Sequence, residues 1–116
     1  MTPNKTTVST YMDAFTRTDR PQILECLTDD IEWEIPGGFR IQGKDAFNTH
    51  IVGDGFAAKP DIVVSRLTEA DDVVVAEGTV RTVRQDGTVL NIAFCDVFEM
   101  RDQKIRRLIS YLMQMK

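Results

Sequence analysis

At 116 residues, 42% hydrophobic and 28% charged, the chain has the size and composition of one globular domain spanning residues 1–116, large enough to form a core without metal or disulfide staples. Its net charge of −4 at pH 7 argues against nucleic acid, which requires a basic stripe to displace counterions. No apolar run approaches the roughly 20 residues of a membrane span, and the polar stretch Met1–Thr10 lacks the apolar core of a signal peptide, so the expected compartment is the cytoplasm.

The first third reads as helical. Val8, Tyr11, Met12 and Phe15 recur at the spacing of one helix face. Asp19 is a good N-cap for a second helix, Pro21 is tolerated in its first turn, and Ile23, Leu24 and Leu27 form its buried stripe; Asp29 and Asp30 end it. From Ile31 the period becomes two, with Ile31, Trp33 and Ile35 alternating against Glu32 and Glu34. Pro36-Gly37-Gly38 turns the chain into a short strand around Phe39 and Ile41. After Gly43 a third helix sets Phe47, His50 and Ile51 on one face, and Gly53-Asp54-Gly55 stops it.

Four strands follow, near Asp61–Glu69, Val73–Arg84, Thr88–Met100 and Lys104–Met113. The turns between them are Asp71-Asp72, Asp86-Gly87 and Arg101-Asp102-Gln103, of which Asp86-Gly87 is the strongest hairpin signal. Helices largely segregated before strands predict an α+β fold: a bent antiparallel sheet with three helices against its concave face, closing over an apolar pocket. Lys104, Arg106 and Arg107 read as a solvated strand start. Ile105, Leu108, Ile109, Tyr111, Leu112 and Met113 cannot all face one side, which predicts a bulge and a homodimer through the outer face of the last strands.

Cys26 and Cys95 form neither a CxxC nor a zinc pattern, and the chain has one histidine. No metal or cofactor is expected, and both thiols read as reduced, buried groups. The most informative line is Leu90, Ile92, Phe94, Asp96, Phe98, Met100, six side chains sharing one face by alternation. Five are apolar, so either that face is the core and a buried Asp96 is inclined to keep its proton, or the strand has slipped register; the structural alternative is a carboxylate capped by backbone donors or paired to an arginine. Tyr11 lies on the apolar face of the first helix and needs a partner for its hydroxyl if buried. His50 is the one imidazole available as a base. The pocket walls are expected from Phe15, Trp33, Ile35, Phe39, Phe47 and Phe56, and from Phe94, Phe98 and Tyr111 in the last strands; aromatic residues at such positions serve equally as plain core.

Two stretches resemble the opening of the nuclear transport factor 2-like superfamily, which includes ketosteroid isomerases and SnoaL-like polyketide cyclases: Tyr11-Met12-Asp13-Ala14-Phe15, and Leu27 through Pro36. Phe94-Cys95-Asp96-Val97-Phe98-Glu99-Met100 followed by Lys104-Ile105 is similar to its closing hairpin. The resemblance implies a cone-shaped fold, a strongly bent sheet wrapped around a long helix (the cystatin-like, ketosteroid isomerase-like barrel), with an internal ligand cavity. It places Tyr11 where the isomerase has its oxyanion-hole tyrosine, and Asp96 where it has an aspartic acid kept neutral by an apolar site. It also places Ile35 where that enzyme has its general-base aspartate. The superfamily's dehydratases imply two histidines and its epoxide hydrolases an Arg-x-Asp pair within a strand, and neither pattern is present here. A cyclase-like role would use Asp96 ionised, as base. The expected partner is thus a small apolar molecule bearing a carbonyl or phenol oxygen; a non-catalytic dimeric binding or interaction domain is the alternative.

Overall fold

The structure, a computed structural model, describes residues 1–51 and 60–115. The first helix, α1 (Pro3–Arg17), opens at Thr2, whose side chain accepts from the Lys5 N–H, and closes at Thr18 in the left-handed conformation. Its apolar stripe buries Val8, Tyr11 and Met12. The short α2 (Arg20–Glu25) starts as the sequence implies, with the Asp19 carboxylate accepting from the Gln22 N–H at 3.2 Å. It ends sooner than expected. Leu27, Asp29 and Asp30 belong to β1 (Leu27–Glu34), not to the end of α2. Both acids are exposed; Lys44 pairs with Asp29, and Arg101 grips both oxygens of Asp30. The third helix, α3 (Lys44–Thr49), buries Phe47 completely; the Gly53-Asp54-Gly55 stop and Phe56 lie outside the described residues.

The remaining strands are β2 (Arg40–Gln42), β3 (Asp61–Ala70), β4 (Val73–Val83), β5 (Val89–Arg101) and β6 (Lys104–Gln114), in the spatial order β2-β1-β6-β5-β4-β3. The curved sheet stays open, with β2 and β3 as its edges, and so falls short of a closed barrel. The expected all-antiparallel pairing fails at one seam, where β1 and β6 run parallel. Strands joined by tight turns must alternate in direction. The seam joins strands separated by most of the chain, so no turn constrains its sense. At the three meander turns the chain adopts positive φ, at Asp71-Asp72, Gly87 and Asp102-Gln103, the conformation that matches hairpin turns to strand twist.

Curvature has a local cause. Between Val64 and Arg66 the β3–β4 register slips, making Ser65 an extra residue whose hydroxyl bonds the Glu77 carbonyl at 2.9 Å. Opposite this bulge stands Gly78, where a Cβ would lie 1.9 Å from the Val63 carbonyl oxygen and 3.0 Å from the Phe94 ring. Only glycine allows that approach, so the bend and the position of Phe94 depend on the same residue. A second slip, between Glu99 and Met100 on β5, shifts every pairing with β6 beyond it by one residue.

On the concave side, α1 and α3 pack onto the sheet through aromatic contacts. Tyr11 meets Phe98 edge-on at 5.6 Å and Phe47 stacks on Trp33 at 4.6 Å. On the convex side, Arg107 is set among Glu99, Glu34 and Glu32, at 3.0, 3.5 and 3.9 Å. No helix among the described residues is long and apolar enough to cross a membrane.

Candidate functional site

Strand pleating brings the key side chains together. On β5 the even-numbered residues Phe94, Asp96, Phe98 and Met100 are all buried, as alternation requires for a face covered by helices. Antiparallel partners point the same way, so Asp96 is flanked by Ala76 of β4 and Ser110 of β6. α1 lays Tyr11, Met12 and Phe15 over this face. Between helix and sheet lies a cavity of about 120 Å³. Tyr11 and Phe15 line it from α1, Trp33 and Ile35 from β1 and its end, and Phe94, Asp96, Ser110 and Leu112 from the last two strands. Pro60, Ile62 and Val80 add to the wall at the β3–β4 side.

Asp96 is the one carboxyl among the described lining residues. Burial pushes it from 3.8 up to about 7, while the Ser110 hydroxyl across the strand pulls it back. Its Oδ1 is buried and makes no hydrogen bond among the described residues, an arrangement that is costly unless the group keeps its proton or meets a ligand. Tyr11 is 2% exposed, its ring in contact with those of Phe15, Phe47 and Phe98. Burial raises its phenol well above 10, and the charge of Asp96 raises it further. Both groups are therefore hydrogen-bond donors below neutral pH. The arrangement can hold an oxygen acceptor in an otherwise apolar space.

The other expected residues divide into three groups. Phe15, Trp33, Ile35 and Phe94 line the cavity with Tyr11 and Asp96. Phe39, Phe47 and Phe98 pack behind it as core, Phe39 at 5.1 Å from Trp33. His50 and Tyr111 are not at the cavity. His50 is exposed just past α3, with Nδ1 2.9 Å from the Ala46 carbonyl and its ring on Phe39, so two aromatic rings separate it from the cavity. Tyr111 corrects the expectation of a wall residue: with Ser110 inward, alternation turns Tyr111 outward opposite Cys95, 49% exposed. Ser110, Met12 and Leu112 are lining residues that the sequence reading did not single out. No cluster of metal-binding side chains occurs among the described residues.

Solved structures with this fold are numerous. An NTF2-like protein of unknown function from Burkholderia pseudomallei K96243 superposes with a TM-score of 0.88 at 22% identity, covering 97% of this chain and 92% of that one. An LEH-like epoxide hydrolase of M. tuberculosis superposes with a TM-score of 0.84 at 21% identity, over 96% and 83% of the two chains. TerC co-crystallised with polyporic acid gives 0.84 at 23% identity, over 94% and 90%. At these identities the likeness establishes the fold alone. A search of curated proteins finds no match to this chain. The SnoaL-like domain model matches residues 8–108, and the chain accordingly belongs to the SnoaL-like domain family, within the NTF2-like fold.

Proposed function

We propose that the cavity binds a small, largely apolar molecule, about one ring in size, and that Tyr11 and Asp96 donate hydrogen bonds to its carbonyl or phenol oxygen. The observation that carries this reading is the buried Asp96 carboxyl, whose Oδ1 has no hydrogen-bond partner among the described residues, on the wall of a largely apolar cavity. Size supports it: an apolar cavity of about 150 Å³ accepts benzene, whereas drug-sized sites run to roughly 300–1,000 Å³. Two donors fixed at one oxygen are the arrangement that stabilises an enolate. No carboxylate or imidazole besides Asp96 lines the cavity among the described residues, so proton transfer between carbons lacks a dedicated base, and binding without rapid isomerisation is the expected outcome. Above about pH 7 the ionised Asp96 becomes the base available for cyclase-type proton abstraction. Relatives of this fold include an LEH-like epoxide hydrolase and a protein crystallised with polyporic acid, which is consistent with a cavity for small organic molecules.

Calorimetry with 2-cyclohexenone, an oxygen acceptor, and cyclohexene, its apolar counterpart, tests the reading. The ketone is expected to bind tenfold or more tightly below pH 6, with that advantage fading as pH rises through about 7 and Asp96 loses its proton. Equal affinity for the two molecules at both ends of the range would remove Asp96 from the site.

The convex face supports a second proposal, a homodimer. Tyr111 and Met113 are 49% and 73% exposed there, beside the half-buried Val75, Val97 and Ile109. The neighbouring charge Arg107 is already paired within the chain to Glu99 and Glu34. The covering surface therefore needs no countercharge, and a second copy of the same face fits. Light scattering at micromolar concentration should give twice 13.1 kDa, and Tyr111→Glu should give the monomer. A wild-type monomer at that concentration would exclude the dimer.

A further inference from the structure

Behind Asp96 a buried hydrogen bond joins two strands that are far apart in sequence. The indole Nε1–H of Trp33 donates to the Ser110 hydroxyl oxygen at 3.1 Å, linking β1 to β6 inside the core. Ser110 stands directly across from Asp96 in the β5–β6 register. All three residues are buried: Trp33 is 8% exposed, Ser110 4% and Asp96 8%. A serine hydroxyl has one proton and two lone pairs, and an indole can only donate. With one lone pair already engaged by Trp33, the proton of Ser110 is free for an acceptor, and the carboxyl of Asp96 stands across the strand pair from it.

We infer that Ser110 is a positioning residue for Asp96: oriented by the Trp33 indole, its hydroxyl binds one carboxyl oxygen and leaves Oδ1 for the ligand. This deepens the reading of Asp96 as the donor of the site and rests on it. The carboxyl is then held as a one-sided donor with a fixed rotamer, instead of turning between two equivalent oxygens. Other groups near Asp96 cannot take this role. Tyr11 on α1 faces it with a donor whose proton burial makes harder to remove. Ala76 on β4 has no polar atom in its side chain. Cys95, its neighbour on β5, faces the opposite side with a thiol whose pKa is also raised by burial.

The relay has a direct electrostatic consequence. A donor aimed at a carboxyl stabilises its anion, which agrees with the downward pull of Ser110 on Asp96. Removing the hydroxyl should leave burial unopposed. The experiment follows the carboxyl carbon of Asp96 by NMR against pH in the ligand-free full chain, with the resonance assigned by its loss in Asp96→Asn. Ser110→Ala is expected to raise the midpoint by about one pH unit, a tenfold change in ionisation constant. Trp33→Phe keeps an aromatic ring but loses the N–H; it should raise the midpoint by less, because the hydroxyl is then free to turn. Ser110→Thr should restore the wild-type value. A midpoint unchanged in Ser110→Ala would overturn the relay, and one unchanged in Trp33→Phe would overturn the orienting role of the indole. Should Ser110→Ala fail to fold, Trp33→Phe and Ser110→Thr decide by the same readout. Because no ligand is present, a shifted midpoint without 2-cyclohexenone binding would sink the proposed function and leave the relay standing. Binding with an unshifted midpoint would do the reverse.

Discussion

Ile35→Asp is expected to raise the rate at which this protein converts 3-cyclohexenone to 2-cyclohexenone by 10²–10⁴-fold, the usual contribution of a positioned general base. The reaction moves a proton from one carbon to another, so one group must take it up and return it. Tyr11 and Asp96 can stabilise the dienolate between those steps, but each holds its proton as a donor below neutral pH. Ile35 lines the cavity and offers only methyl and methylene groups where the resemblance to the isomerases places their base. The backbone there is held by the Ile35 N–H to the Phe39 carbonyl at 2.8 Å, a bond that the substitution retains. A one-ring ketone suits the assay because its size matches a cavity of about 120 Å³. Turnover by the wild type as fast as by the variant would show that another group acts as base; His50→Ala would then be the next test, although His50 is not at the cavity wall.

Asp96→Asn is expected to abolish a loss of stability that the wild type shows between pH 5 and 8. The folded-state pKa is raised from 3.8 to about 7. Between those values the native state keeps the proton while the unfolded chain has released it. The unfolded state therefore binds fewer protons, and stability falls as pH rises, levelling off above about 7. The full span corresponds to on the order of 4 kcal/mol, at 1.36 kcal/mol per pKa unit. Urea unfolding at pH 5, 6, 7 and 8 samples roughly 2.6 kcal/mol of it, and Asp96→Asn should give a nearly flat series. The window stays above the range in which Asp30, lowered to about 2 by Arg101, contributes the opposite slope. Parallel curves for the two proteins would mean that Asp96 is already ionised in the folded state, and the donor role would fall with it.

Much of this site was legible because strand alternation is a strict rule. Five apolar residues in phase with Asp96 on β5 settle which way it points, and helix periodicity does the same for Tyr11 on α1. Ser110 was hidden for an equally definite reason. Counting back from the Arg101–Lys104 turn without interruption would set Asp96 opposite Ile109. The slip between Glu99 and Met100 makes Arg106 the extra residue and moves Ser110 into that place. A bulge was expected from the crowding of apolar residues on β6, but crowding does not reveal where the extra residue falls. Tyr111 was misplaced through the same uncertainty, since a shift of one residue exchanges the faces of a strand. Asp29 and Asp30 suggest a helix end because their type favours turns. Their pairing with Lys44 and Arg101 lets a strand accept them, and that pairing is tertiary. His50 shares a helical phase with Phe47, but α3 ends at Thr49, so the periodicity does not extend to it.

The parallel seam between β1 and β6 also governs when the cavity can exist. Its two sides meet through the Trp33–Ser110 hydrogen bond, 77 residues apart in sequence, whereas the β3–β6 meander is joined by short local turns. Loop closure over such a separation carries an entropic cost that hairpins avoid. Trp33 on one bank and Ser110 and Leu112 on the other become a single wall only once that closure is made. A molecule held there recognises the finished fold and nothing before it, so its binding energy acts entirely as folding energy, about 2.7 kcal/mol at one hundred times its dissociation constant.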